Sequence, residues 1–340
     1  MKIFIFFLLI LIFLNSLFLI FHKKFGKFYN LYDFPNEKRK VHSTPVPLTG
    51  GIFFLFNITL FFVFDFYFND KSFFYDLYLN SNREILVYCF CLLSAFIIGF
   101  IDDKLKLSPL TKLILLTIVC YSFFVTNTKL TLNYLEIDFL NMTIDLFELG
   151  LTFSILSVIL YINAVNMIDG INLLASLYFT SIALVLIIFN FQIYFAITFM
   201  LACLFFMFLN IKSKIFLGDN GVYVITFILA ILIISLYETK ELPVEIILTY
   251  MFLPIIDCLR LFISRILQRK HPFQADEKHL HLILLKKMSY KKTIIFLSIF
   301  IFSPILFTKL NILEPIFILL FLTIFYFIIL KINLPKNLNE

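Results

Sequence analysis

Tryptophan is absent from the 340 residues, and glycine (8), proline (10) and cysteine (5) are all scarce. Collagen-like and low-complexity chains are excluded, because they need roughly a quarter or more of their residues as Gly and Pro. Charge is scarce too: 15% of residues are charged against 61% hydrophobic, whereas a soluble domain carries about 25% charged and under half apolar. That balance excludes a soluble domain and makes the bilayer the solvent for this chain. The cysteines (Cys89, Cys91, Cys120, Cys203, Cys258) lie almost wholly inside apolar runs with no CxxC spacing. They read as small buried hydrophobes, not as disulfides or zinc ligands. Without Trp, the interfacial positions fall to Tyr and Phe. The net charge of +6 forms no face on an amphipathic helix. It sits in short loops between apolar runs, which indicates topology and not a nucleic-acid partner.

A hydrocarbon core of about 30 Å takes about 20 apolar residues per helix. Eleven runs meet that demand: 3–21, 51–68, 85–101, 110–127, 150–165, 171–189, 191–210, 221–237, 244–266, 293–309 and 313–331. They predict an all-α membrane protein, a polytopic bundle of about 11 transmembrane helices forming one integral membrane domain over residues 1–340. No small-residue cleavage site follows the first run, which predicts a retained helix. With the N-terminus outside, one face holds residues 22–50, 102–109, 166–170, 211–220, 267–292 and the tail. Six Lys and Arg lie in 22–50 and seven in 267–292, as many in each as on the whole opposite face or more. The positive-inside rule makes that first face cytoplasmic. On the other side, Leu135, Ile137 and Phe139 alternate with Glu136 and Asp138, a period of two that predicts a short extracytoplasmic hairpin.

The unusual polar residues then fall on one side, at span ends and loops spanning about 22–50, 102–112, 163–170, 211–221 and 267–292. They are Lys40-Val41-His42 through Pro45, Pro47 and Gly50-Gly51; Asp102-Asp103; Asn163, Asn166 and Asp169-Gly170; Gly218-Asp219-Asn220-Gly221; and Asp276 with His279 and His281. Lys and Arg would gather there for orientation alone, but Asp and Asn would not. An acidic pair closing an apolar run is often only a helix end; it can equally hold a divalent cation or act as a base. Asn163, Asn166 and Asp169 recur every three residues, and such groups at membrane depth are expensive unless they face a cavity. Gly218–Gly221 reads as a plain turn, or as a close approach to phosphate with Asp219 binding Mg²⁺. His279 and His281 lack Cys and the HExxH spacing, and their basic neighbours suggest a loop for anions. Asp257, three residues before Arg260, is read as either an intrahelical ion pair or a functional group. His22 reads as interfacial.

Taken together, "RKVHSTPVPLTGGI", "GFIDDKLKLSPLTK", "NAVNMIDGINLLA", "FLGDNG" and "PIIDCLRLFISRILQRKHPFQADEKHLHLILL" resemble the polyprenyl-phosphate N-acetylhexosamine-1-phosphate transferases of the glycosyltransferase 4 family, over residues 35–285. The last motif looks like the branch that starts O-antigen, common-antigen or teichoic-acid linkage glycans. The resemblance implies Asp102, Asp103 and Asp169 as catalytic acids, one of the pair serving as the base for the lipid phosphate. It implies Asn166 and Asp219 as Mg²⁺ ligands, with Mn²⁺ as a substitute. It also implies Lys112, Asn163, Arg265, His279 and His281 as substrate-binding. Two departures are visible: Val222 and Tyr223 follow the GDNG where the family has Ser and small residues, and Lys106 replaces an Asn or Asp.

The implied reaction moves N-acetylglucosamine 1-phosphate from its UDP-sugar to undecaprenyl phosphate and releases UMP, at the cytoplasmic face of a bacterial inner membrane. A 6-deoxyhexosamine donor is the nearest variant, and a homodimer is among the assemblies the resemblance allows. A single in-line attack competes with a route through a phosphorylated Asp102 or Asp103. A transporter with a polar cavity is the rival of another class. It predicts polar groups near the midplane and access from both faces, not a cluster at one.

Overall fold

Lipid offers no partners to backbone N–H and C=O groups, so each apolar run must close its own hydrogen bonds. All eleven runs do so as helices. The computed structural model describes residues 2–35, 44–240, 242–270 and 277–333. Helix α1 (Lys2–Tyr29) is followed by β1 (Tyr32–Asp33) and β2 (Val46–Pro47), then α2 (Gly50–Phe68), α3 (Ser72–Asp76), α4 (Asn82–Leu105) and α5 (Pro109–Thr126). Strands β3 (Tyr134–Ile137) and β4 (Met142–Asp145) precede α6 (Gly150–Ile168), α7 (Leu174–Ile188), α8 (Ile193–Asn210) and α9 (Gly218–Glu238). The described residues finish with α10 (Val244–Tyr250), α11 (Phe252–Leu267), α12 (Leu280–Leu285), α13 (Tyr290–Lys309) and α14 (Pro315–Asn333). Among the described residues nine helices are long and apolar enough to cross a membrane, or ten if one bent pair counts as a span.

That bent pair corrects the expected straight span over 244–266. α10 and α11 meet at 81° because Pro254 has no N–H to give Tyr250, four residues back, and its ring would strike that carbonyl. α7 has 15 residues, about 22 Å at 1.5 Å per residue, which is shorter than the hydrocarbon core. α1 outruns its apolar segment by two turns and buries His22, whose Nδ1 donates to the Leu19 carbonyl at 2.8 Å. His22 is therefore packed inside the bundle. The five thiols are free, and all but Cys89 are buried.

α9 is the axis of the bundle, buried along nearly its whole length, with α4, α2 and α6 packed around it. Phenylalanines fill much of the space outside it; Phe195 and Phe199, for example, stack at 5.6 Å. A pair of amides joins α1 to α2 inside the apolar zone: Asn15 donates to Asn57 at 2.9 Å, and Asn57 donates onward to the Phe53 carbonyl at 2.8 Å. The amide-to-amide bond and the bond to the carbonyl reduce the cost of polar atoms at that depth.

The predicted hairpin is β3–β4, antiparallel with Tyr134 opposite Asp145 and Ile137 opposite Met142. It joins α5 to α6 at the end away from the polar span ends. Tyr237 anchors it by accepting the Glu136 N–H at 2.8 Å, and Glu245 does so by accepting that of Phe139 at 3.1 Å. A second, unpredicted pair, β1–β2, brackets residues 36–43; Lys40 and His42 lie outside the described residues, as does Asp276.

α4 reaches the start of α9 only because residue 99 is glycine. A Cβ there would stand 2.4 Å from the Asp219 carbonyl oxygen and 2.5 Å from the Asn220 backbone. Gly99→Ala should therefore force α4 and α9 apart at a cost of about 1–3 kcal/mol, seen as a lower thermal midpoint of the purified protein. An unchanged midpoint would show that the two helices are not held this closely.

Candidate active site

Four span ends deliver the first group of polar residues. α4 contributes Asp102 and Asp103 in its last turn and stops at Lys106, whose φ of 52° closes the helix in the left-handed conformation. Asn and Gly adopt that conformation more readily than lysine, so the Lys106 departure falls on a helix cap. Ser108 caps α5 by accepting the Thr111 N–H, and Pro109 occupies its first turn, which places Lys112 one turn in. α6 ends with Asn163, Asn166 and its cap residue Asp169. α9 begins at Gly218, whose φ of +75° is a glycine conformation.

The two adjacent carboxylates have different partners. Asp103 accepts the backbone N–H groups of Asp219 (2.9 Å) and Asn220 (3.0 Å), together with the Asn220 side-chain amide. It thereby caps α9, supplying acceptors to donors that have none within the helix. Asp102 turns instead to Lys112, with which it forms an ion pair, and accepts from Leu107 N–H at 2.8 Å and Tyr223 OH at 3.3 Å. The Lys112 ammonium also lies 3.5 Å from Asp219, whose other oxygen accepts the Asn166 amide at 3.0 Å. Asn163, one turn deeper, donates to its own helix at the Ile159 carbonyl, 2.8 Å away. Asp169 lies just past the span. Its carboxyl is held well above the usual carboxylate range, first by burial and then by repulsion from Asp103.

Two carboxylates, Asp102 and Asp219, thus flank one ammonium, with Asp103 at the start of α9 behind them, and the imbalance favours a cation. Asn166 and Asp219 offer adjacent oxygen donors of the hard type that Mg²⁺ selects. A site of one or two carboxylates is its usual protein share, the remainder being water and phosphate. The donor set fits.

A second group lies on α11 and the segment after it. Asp257, Leu261 and Arg265 are buried at intervals of four, on one face of α11. The Asp257 carboxylate accepts from Arg260 (2.8 Å), His279 Nδ1 (2.9 Å), the Leu280 N–H (3.2 Å) and Tyr326 OH (2.6 Å). The His279 and His281 rings stack at 5.4 Å. Asp257, His279 and His281 bring ligand atoms within 4.8 Å of one another. However, that carboxylate already accepts four hydrogen bonds, one from a guanidinium that would repel a cation. The arrangement orients His279 and does not make a cage. Burial, and then His279, push the His281 imidazole down to about 3, so it is neutral.

The turn at the end of α6 lies between the two groups. Asp169 senses Asp103 on one side, and Gly170 abuts His281 on the other. Asp257 is an ion-pair partner of Arg260, as its spacing suggested, but it also holds His279 from 22 positions away. Neither Tyr326 nor the bond from Tyr223 was foreseeable, because a tyrosine in an apolar run carries no distinguishing signal. At Gly170 a Cβ would stand 2.2 Å from His281 Nε2. Gly170→Ala should therefore lower the thermal midpoint in the native background and leave it unchanged when His281 is already Ala. Equal losses in both backgrounds would show that the two residues do not touch.

A sequence profile described as glycosyl transferase family 4 matches residues 85–237, the stretch holding every residue of the first group. The chain is 30% identical over 293 residues to the undecaprenyl-phosphate alpha-N-acetylglucosaminyl 1-phosphate transferase of Escherichia coli strain K12, covering 82% of this chain and 76% of that protein. It is 28% identical over 304 residues to the protein of the same name from Pasteurella multocida, covering 82% and 78%. It is 27% identical over 251 residues to the probable undecaprenyl-phosphate N-acetylglucosaminyl 1-phosphate transferase of Bacillus subtilis, covering 70% of each. With that identity across most of both chains, and the profile falling on the span ends that build the site, this protein belongs to glycosyl transferase family 4.

Proposed function

We propose that the protein transfers N-acetylhexosamine 1-phosphate, with N-acetylglucosamine as the default sugar, from a UDP-sugar to undecaprenyl phosphate and releases UMP. One observation carries the reading: Asp102, Lys112, Asn166 and Asp219 converge from four spans into a single charged cluster at one end of the bundle. Both substrates are anions, so the chain must offset their repulsion before they can react. Lys112 supplies a fixed positive charge. Bound at Asn166 and Asp219, Mg²⁺ would neutralise diphosphate charge and help the leaving group depart. Asp102, free of the capping task that occupies Asp103, takes the proton of the lipid phosphate as general base. That oxygen attacks the sugar-bearing phosphorus in line, and the phosphoanhydride bond to UMP breaks. Asp103 positions Asp219 through the α9 terminus. His279 and His281, with Arg265 behind them, meet the nucleotide.

The nucleotide sugar is cytosolic and the prenyl chain lies in the bilayer. The reading therefore places the site at the cytoplasmic face of a bacterial inner membrane, the face the Lys- and Arg-rich loops mark. The product would start a cell-surface glycan.

The test uses purified protein, undecaprenyl phosphate, Mg²⁺ and a panel of UDP-N-acetyl sugars, with UMP as the readout. UMP should appear with UDP-GlcNAc, vanish with chelator, return on adding Mg²⁺, and fall by about 10²–10⁴-fold in Asp102→Asn. UMP release with no sugar of the panel, or an undiminished rate in Asp219→Ala, would sink the proposal.

A further inference from the structure

Tyr326 lies in the middle of α14, far outside the profile-matched stretch, and is fully buried at 0% exposure. Its hydroxyl donates to Asp257 Oδ1 at 2.6 Å and accepts from Arg260 Nε at 2.7 Å. Arg260 in turn donates to Asp257 at 2.8 Å and to the Lys278 carbonyl at 2.6 Å. Asp257 holds His279 through Nδ1 and the Leu280 N–H beyond it. Tyr326, Asp257 and Arg260 therefore form a closed circuit whose output is the position of residues 278–280. Tyr326 is the only one of them that belongs to neither α11 nor that segment.

We propose that Tyr326 is a positioning residue. It acts through Asp257 and Arg260 to fix the His279 segment against the site, so that the last helix contributes to nucleotide-sugar binding. The physics supports this. A carboxylate with several well-aligned donors has one orientation, and losing one neutral donor leaves a buried acceptor short while the guanidinium loses an acceptor. Both changes bear on the backbone at 278–280, not on the carboxylate cluster around Lys112. The effect should therefore fall on one substrate. This inference rests on the transferase reading for its kinetic part only.

The experiment compares the full-length native protein with Tyr326→Phe, which keeps the ring and removes the hydroxyl. Amide hydrogen exchange should speed up over residues 277–285 and stay unchanged in α2, α4 and α9. The KM for UDP-GlcNAc should rise about tenfold, in keeping with one lost hydrogen bond to a charged group. The KM for undecaprenyl phosphate and kcat should stay within about twofold. Unchanged exchange over 277–285 would overturn the proposal. So would faster exchange throughout with a lower thermal midpoint and an unaltered KM for UDP-GlcNAc, since that is what a purely structural tyrosine would give. If the native protein itself releases no UMP, the transferase reading fails, and the exchange comparison still decides whether Tyr326 holds this segment.

Discussion

The first backbone N–H groups of a helix have no partner within it, and in a bilayer they have little water to turn to. α9 starts at such a point, surrounded by α2, α4 and α6. Asp103 accepts the N–H groups of Asp219 and Asn220, and Gly99 lets its helix come close enough to do so. On the other side β2 and the start of α2 finish the anchorage: Gly50 and Gly51 donate to the Phe216 and Leu217 carbonyls at 3.0 and 3.1 Å, and Phe216 donates to that of Pro47 at 2.9 Å. Asp219 is displayed at the mouth of the bundle because the residue beside it and the helix beneath it are tied on two sides. The placement of Asp102, Lys112 and Asn166 is referred to that terminus.

Adjacent residues on a helix point about 100° apart, and this explains how one acidic pair does two jobs. Asp103 is occupied by the first N–H groups of α9; Asp102, itself buried, meets Lys112 on α5 and the Tyr223 hydroxyl one turn further along α9. The proposed base is thus the carboxylate with a lysine beside it, and its neighbour is the group that keeps Asp219, the proposed Mg²⁺ ligand, in place.

Much of this was legible in the sequence because lipid is a strict solvent. Uniform apolar runs can only be helices there, so eleven runs predicted eleven helical segments, and the alternation around Leu135 predicted β3–β4. The convergence of four span ends was legible as well, since Asp and Asn have no reason to cluster on one face. What escaped was geometry decided by single atoms. Pro254 bends a run with only apolar neighbours on either side of it, and hydropathy does not register a missing N–H. The two-residue strands β1 and β2 are too short to show a period. Asp257 is legible as a partner for Arg260, three positions on, but its bond to His279 spans 22 residues and its bond to Tyr326 spans 69. No local pattern encodes those distances.

The two groups differ in chemistry, and the difference supports a division of labour. The first is anionic and oxygen-rich, with one lysine, and suits a cation with phosphates. The second has its carboxylate fully occupied by donors and a buried neutral imidazole, so it has no charge to spare for a metal and instead presents a shaped surface. The turn at Asp169 and Gly170 stands between them, one residue sensing Asp103 and the next abutting His281. A transferase that must bring two anions together has to neutralise charge in one place and recognise the donor in another, with a rigid spacing between. A two-residue turn at the end of a buried helix provides such a spacing. A transport pathway would instead need the polar groups spread across the bundle, whereas here both groups share one end and the hairpin covers the other.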